Sequence, residues 1–210
     1  MKLNKTKVSV ILIILFHFVG LVGFIIPFLR PLFLQIVPFH LLLMLFLLLI
    51  NHQTLNLKFA FFAILIMLSG FLAEWIGVHK HWLFGNYAYD TTLGFKLNEI
   101  PLMIGVNWFL LIYSTGTLIE KVPVKEAWLK ILSGAVLLVL LDLLIEPVAI
   151  RFNYWHWANQ IIPIKNYVCW FLVSVCLLSF FHQFKFKTQS WVAPVLLIVQ
   201  FVFFAVLNFA

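Results

Sequence analysis

The chain has 210 residues, 64% hydrophobic and 10% charged, with a mean hydropathy of +1.10 and a formal charge of +7. Soluble domains are about half apolar and about a quarter charged, so this composition excludes a water-soluble globule and predicts an all-α bundle of about seven transmembrane helices. The positive balance does not point to nucleic acid, because the cations are scattered over segment ends rather than gathered in a stripe.

A span takes about 20 apolar residues. Lys2, Lys5 and Lys7 lead into an apolar run that is longer than the roughly 7–15 residues of a secretory signal core and has no small-residue cleavage site after it. It is read as an uncleaved first span, Val8–Ile26, closed by Pro27 and Pro31. The second span is Leu32–Ile50, with a kink expected at Pro38. The third is Phe59–Val78, the fourth Asn98–Ile119, and the fifth Ala127–Ile150, ended or kinked near Glu146-Pro147. The sixth is Tyr167–Phe181 and the seventh Trp191–Phe209. No internal repeat or low-complexity linker is present, so residues 1–210 are expected to form one membrane domain, with polar connections at 79–98 and 151–166. Cys169 and Cys176, two turns apart in an apolar segment, are expected to serve core packing.

Seven spans place alternate connections on opposite sides. Lys2, Lys5, Lys7, Lys58, Lys121, Lys125, Lys130, Lys185 and Lys187 share the amino-terminal side, against Arg30, Lys80, Lys96, Arg151 and Lys165 on the other. The positive-inside rule therefore predicts a cytoplasmic N-terminus. The polar connections then share the non-cytoplasmic side.

Those connections carry the chemistry. The run Glu74–Pro101 holds three of the seven acids, Glu74, Asp90 and Glu99, together with His79, His81, two tryptophans and two tyrosines. Asp142–Trp157 has the same character, and the two clusters are expected to meet. Glu74 lies a turn or so inside the end of the third span, and Glu99 opens the fourth from the same side. Asp142 and Glu146, four apart, project from one helix face. Ionisable groups inside a bilayer segment are expensive and mark functional sites. Their structural alternatives are an ion pair of Glu146 with Arg151, a helix-start role for Glu99, and a hydrogen bond from a tyrosine to Asp142. A carboxyl in an apolar pocket favours its neutral form, and a second one nearby sharpens the division into acid and base. Glu74, Asp142, Glu146 and Glu99 are therefore the catalytic candidates. Trp75, Trp82, Tyr87, Tyr89, Trp108, Asn153, Trp155, Trp157 and Asn166 are the substrate-binding candidates, in which π faces would shield a carbocation, although Trp and Tyr also gather at membrane interfaces for structural reasons.

Seven histidines without HxxxH or HxxHH boxes, and no HExxH motif, give no expectation of a metal. No nucleotide-binding motif is present, and no cofactor is expected. A retinal protein would need a lysine in the last span, and Trp191–Phe209 has none.

The ordered set Glu74, Phe84-Gly85-Asn86-Tyr87-Ala88-Tyr89, Leu93-Gly94, Glu99-Ile100-Pro101, Asn107-Trp108, Asp142, Glu146-Pro147, Trp155-His156-Trp157, Ile162-Pro163 and Asn166 resembles the carotenoid biosynthesis membrane proteins, a family that includes CruF-like carotenoid 1,2-hydratases and bisanhydrobacterioruberin hydratases. The resemblance spans roughly 70–171. The family pattern often has Gly-Val ahead of the proline where this chain has Glu99-Ile100, so the resemblance does not carry Glu99. It implies acid-catalysed hydration of the terminal C1–C2 double bond of an acyclic carotenoid end group without a cofactor, with Glu74 as acid and Asp142 or Glu146 activating the water. It further implies an apolar substrate drawn from the bilayer, other carotenoid-pathway enzymes as partners, and a multi-pass place in a bacterial inner membrane. The alternatives are a lycopene-type end-group cyclase using the same protonation, a small transporter relaying protons through intramembrane carboxylates, and a non-catalytic scaffold. The crowding of acids at one surface argues against the last two.

Overall fold

The computed structural model describes residues 4–187 and 189–210, so the topology cation Lys2 lies outside the described residues. Seven helices follow in order: α1 Lys5–Ile25, α2 Arg30–Asn51, α3 Leu57–Lys80, α4 Met103–Ile119, α5 Ala127–Arg151, α6 Ile164–Gln183 and α7 Val192–Phe209. Six are long and apolar enough to cross a membrane. The seventh, α4, has 17 residues, about 26 Å at the α-helical rise. Large apolar side chains such as Phe18, Phe39, Phe61 and Leu172 stand on the outside at 58–69% exposure, as expected where the solvent is hydrocarbon.

The short helix is the centre of the bundle. It packs against α2, α3, α5, α6 and α7, and Trp108, Phe109, Leu110, Leu111, Ile112 and Tyr113 are all 2% exposed or less. A helix apolar on every face belongs inside. Around it α5 packs on α6 and α7, and α1 packs on α2 and α7. The approach of α3 to α4 depends on small residues. A Cβ on Gly105 would stand 2.8 Å from the Met67 carbonyl oxygen, and one on Gly70 would stand 2.4 Å from Trp108 Cγ. Without strong apolar attraction between helices in lipid, such close backbone approach supplies the packing, and here it lays the Trp108 ring beside α3 one turn from Glu74.

Helix ends follow local chemistry. Asn4 and Asn56 cap α1 and α3 by accepting from the Lys7 and Phe59 amides, and α3 stops where His81 turns left-handed at φ 54°. The start of the fourth helix differs most from expectation. The fourth helix starts at Met103 rather than Asn98, because Asn98 and Glu99 both adopt positive φ and form the turn of a small hairpin, β2 Lys96–Leu97 against β3 Ile100–Pro101. The fifth helix runs to Arg151, one residue past the expected Ile150, with Pro147 inside it rather than at its end. Cys169 is buried as expected, whereas Cys176 faces outward.

At one end of the bundle the Arg151 guanidinium donates to the Leu207 carbonyl, and Asn208 to that of Leu144, tying α5 to α7. The connections 81–102 and 152–163 lie at this end. They meet through β1 Tyr87–Tyr89 and β4 Trp155–Trp157 (numbered with the hairpin in chain order), which pair antiparallel with Tyr87 opposite Trp157 and Tyr89 opposite Trp155. At the other end His52 lies on the Phe59 ring, and its Nδ1 is 2.7 Å from the Tyr113 hydroxyl.

Candidate active site

Side chains alternate across a strand, so the β1–β4 pair sorts its residues into two sets. Tyr87, Tyr89, Trp155 and Trp157 point to one face, into the bundle. Ala88 and His156 point away, and His156 Nδ1 sits 3.1 Å from Asp90. The inward face is thus a lid of four rings, each carrying one polar hydrogen, set over the helical carboxyls below.

Two carboxyls receive those hydrogens. Tyr87 and Tyr89 donate to Glu74 Oε2 at 2.6 and 2.8 Å, and Trp108 Nε1 donates to its Oε1 at 3.0 Å. Trp155 and Trp157 donate their indole N–H groups to Glu146 Oε2 at 3.0 and 2.8 Å. Asn166 Nδ2 completes the shell, donating to Glu146 Oε1 at 3.1 Å and Asp142 Oδ2 at 2.9 Å. Glu74 is 5%, Asp142 0% and Glu146 1% exposed, so each would carry a large desolvation penalty without such partners. Asp142 Oδ1 has no partner among the described residues. Burial, then the adjacent Glu74 carboxylate, pushes the Tyr87 and Tyr89 hydroxyls well above the ordinary phenol range. Both therefore stay protonated.

Glu74 and Glu146 face each other across a chamber of about 30 Å³, walled by Phe84, Tyr87, Tyr89, Ile104, Asn107, Trp108, Trp155, Asn166 and Trp170. That is room for a water molecule. The Trp108 and Trp170 rings stack at 4.4 Å and form its back wall. Glycine shapes the lid: Gly85 has φ 154°, and a Cβ there would meet Pro163 at 2.7 Å and Trp157 at 3.0 Å.

The expected residues divide accordingly. Glu74, Glu146, Tyr87, Tyr89, Trp108, Trp155 and Asn166 line the chamber. Trp157 touches it through Glu146, and Asp142 stands behind Asn166. Glu99 lies in the exposed hairpin turn, its side chain 73% exposed and 3.8 Å from His79. Trp82 is 73% exposed. Trp75 packs beside His79 and Lys80, and Asn153 is an exposed left-handed turn residue whose carbonyl accepts from Thr92. The predicted alternatives for Glu146 and Asp142 are replaced: Arg151 turns to Leu207, and Asn166, rather than a tyrosine, serves Asp142. Phe84, Ile104, Asn107 and Trp170 join the site. Trp170 was legible in principle, being four residues after Asn166 on the same helix face. Among the described residues no three His, Cys, Asp or Glu side chains converge as a metal-binding set.

Comparison with known proteins places the chain in a family. A bisanhydrobacterioruberin hydratase of Haloarcula japonica is 27% identical over 117 residues, covering 51% of this chain and 40% of the relative, so this chain spans less than half the length of that protein. No solved structure matches. The family described as Carotenoid biosynthesis protein matches residues 33–210, a stretch that contains every residue of the chamber and, of the bundle beyond α1, everything but the first three residues of α2. The chain belongs to the carotenoid biosynthesis protein family.

Proposed function

We propose that this protein hydrates the terminal C1–C2 double bond of an acyclic carotenoid end group, as a cofactor-independent hydro-lyase. The observation that carries this reading is the water-sized chamber between two buried carboxyls with different kinds of partner. All three donors to Glu146 are N–H groups, which can only donate, so its surroundings suit an ionised base. Glu74 is served by two hydroxyls and one indole. A hydroxyl can donate or accept, so Tyr87 and Tyr89 can accommodate Glu74 with or without its proton. Glu74 is the acid and Glu146 the base.

The step balances without further reagents. Glu74 gives its proton to C2, the C1–C2 π pair forms the new C–H bond, and a tertiary cation is left at C1. The faces of Trp108, Trp155 and Trp170 stabilise that charge. Water adds its oxygen to C1 and its surplus proton passes to Glu146, leaving a tertiary alcohol. Transfer of that proton back to Glu74 resets the pair. Asp142 is a positioning residue, acting through Asn166. With a cytoplasmic N-terminus in a bacterial inner membrane, the chamber opens near the non-cytoplasmic surface, where the substrate arrives from the bilayer and other enzymes of carotenoid synthesis supply it.

Expression in a bacterium that accumulates lycopene tests this. The expected pigment is heavier by one water per modified end. An isomer of unchanged mass would show a cyclase that quenches the same cation by proton loss, and unaltered pigment in the presence of inserted protein would contradict both.

A further inference from the structure

Beside the carboxylate chamber lies a much larger cavity, about 320 Å³, enclosed by α1, α2, α4, α5 and α7. Ile104, Asn107 and Trp155 line both spaces, so the two are consecutive compartments with a shared wall. A void of this size in an otherwise close-packed bundle loses its dispersion contacts unless something fills it, and the volume is that of a ligand pocket.

Its mouth faces lipid. Phe16 and Val19 on α1 and Ile36 and Phe39 on α2 line it, yet all four are exposed on the outside of the bundle, at 40%, 41%, 39% and 69%. The cavity therefore opens sideways between α1 and α2 into the hydrocarbon layer. The two helices touch within the cavity, where the His17 and His40 rings pack edge-on at 4.7 Å, and again nearer their connection, where Gly23 lies against the Phe33 ring.

We propose that this cavity is the seat of the substrate's polyene body, and that a linear conjugated hydrocarbon enters end-first between α1 and α2 and stops with its terminal double bond at Asn107 and Trp155, the wall shared with the water-sized chamber of Glu74 and Glu146. This rests on the hydratase reading for the identity of the end group. The occupant is a polyene rather than an acyl chain because aromatic rings crowd the passage: Phe24, Phe33, Phe203 and Phe204 line it in addition to Phe16 and Phe39. Flat rings stack on a flat conjugated rod, whereas a flexible acyl chain would have to surrender its rotamer freedom to lie among them. The portion of a long polyene that exceeds the cavity remains in the bilayer through the open mouth, so the site reads one end and tolerates variation in the other.

The test is co-purification from lycopene-accumulating cells, with pigment per protein read by absorbance and product read by mass. Ile36→Trp and Val19→Trp fill the mouth from positions already facing lipid, which spares the core. Leu68→Trp, 57% exposed on α3 and outside the cavity lining, is the control. Glu146→Gln should retain lycopene, wild type and Leu68→Trp should retain lycopene or its hydrated product, and both mouth variants should retain at least about fivefold less pigment. Equal retention by the mouth variants, or a wild-type protein free of both pigments, would overturn the proposal. Retention that depends on the mouth, without any hydrated product from wild type, would support the cavity and refute the hydratase reading instead.

Discussion

At the scale of single residues, the proposed chemistry depends on two carboxyls with unlike neighbours. Glu146→Gln keeps the side chain's size and removes the proposed base, so the proposed hydration should fall by about 10²–10⁴-fold, the usual worth of a positioned acid or base. Protein level and insertion should match wild type in membrane fractions. The tyrosines separate positioning from chemistry. Tyr87→Phe leaves Glu74 with Tyr89 and Trp108 and should cost about tenfold, the worth of one buried hydrogen bond. The double change with Tyr89→Phe removes both reversible partners and should approach the loss seen in Glu74→Gln. Turnover assays on the three variants would show whether the effects converge in this way. His52 offers a different titration. Burial holds its imidazole down to about 4 from the usual 6.5, so the folded state resists its protonation. The unfolded chain binds that proton more readily, and stability complete above pH 6.5 should decline as pH falls from 6.5 towards 4. Thermal melts across that window should show the decline, and His52→Asn should flatten it.

At the scale of elements, the paired strands position the chemistry. Ala88 faces His156 midway between the Asp90–Tyr154 and Ala158–Asn86 backbone hydrogen bonds. Ala88→Pro removes a ladder donor and should misplace Tyr87 and Tyr89. Activity should drop about a hundredfold, as misplacement of about 1 Å can do, while helical circular dichroism stays at wild-type strength. Gly70→Ala acts at the helix contact. Its Cβ would stand 2.4 Å from Trp108 Cγ, an overpacking of about 1–3 kcal/mol that a lowered melting temperature would report. The long helices were legible in the sequence because a bilayer imposes length and apolarity on each of them. So was the convergence of Glu74–Pro101 with Asp142–Trp157, because two spans between them return the chain to one side. The strand pairing was less legible. Tyr-Ala-Tyr and Trp-His-Trp are three residues each, too short to assert a period of two. Glu99 misled for a local reason: a carboxylate beside an apolar run reads as a helix start, while its positive φ commits it to a turn that points to solvent.

At the scale of the whole molecule, the central short helix and its ring-lined neighbours divide the protein into an outer apolar cavity and an inner polar chamber. Neither compartment has a signature in one dimension, because a void is made by residues distant in sequence and a lipid-facing phenylalanine looks the same whether it lines a portal or not. The arrangement explains how so apolar a protein can hold three buried acids: each carboxyl is served by donors from other elements of the fold. The most direct measurement uses purified protein in lipid nanodiscs, lycopene as substrate, and water enriched in heavy oxygen. Wild type should yield a tertiary alcohol carrying the heavy oxygen at the former double bond, and Glu74→Gln and Glu146→Gln should each retain lycopene unchanged. A cyclised product without label, or a labelled alcohol formed at the wild-type rate by either variant, would contradict the account.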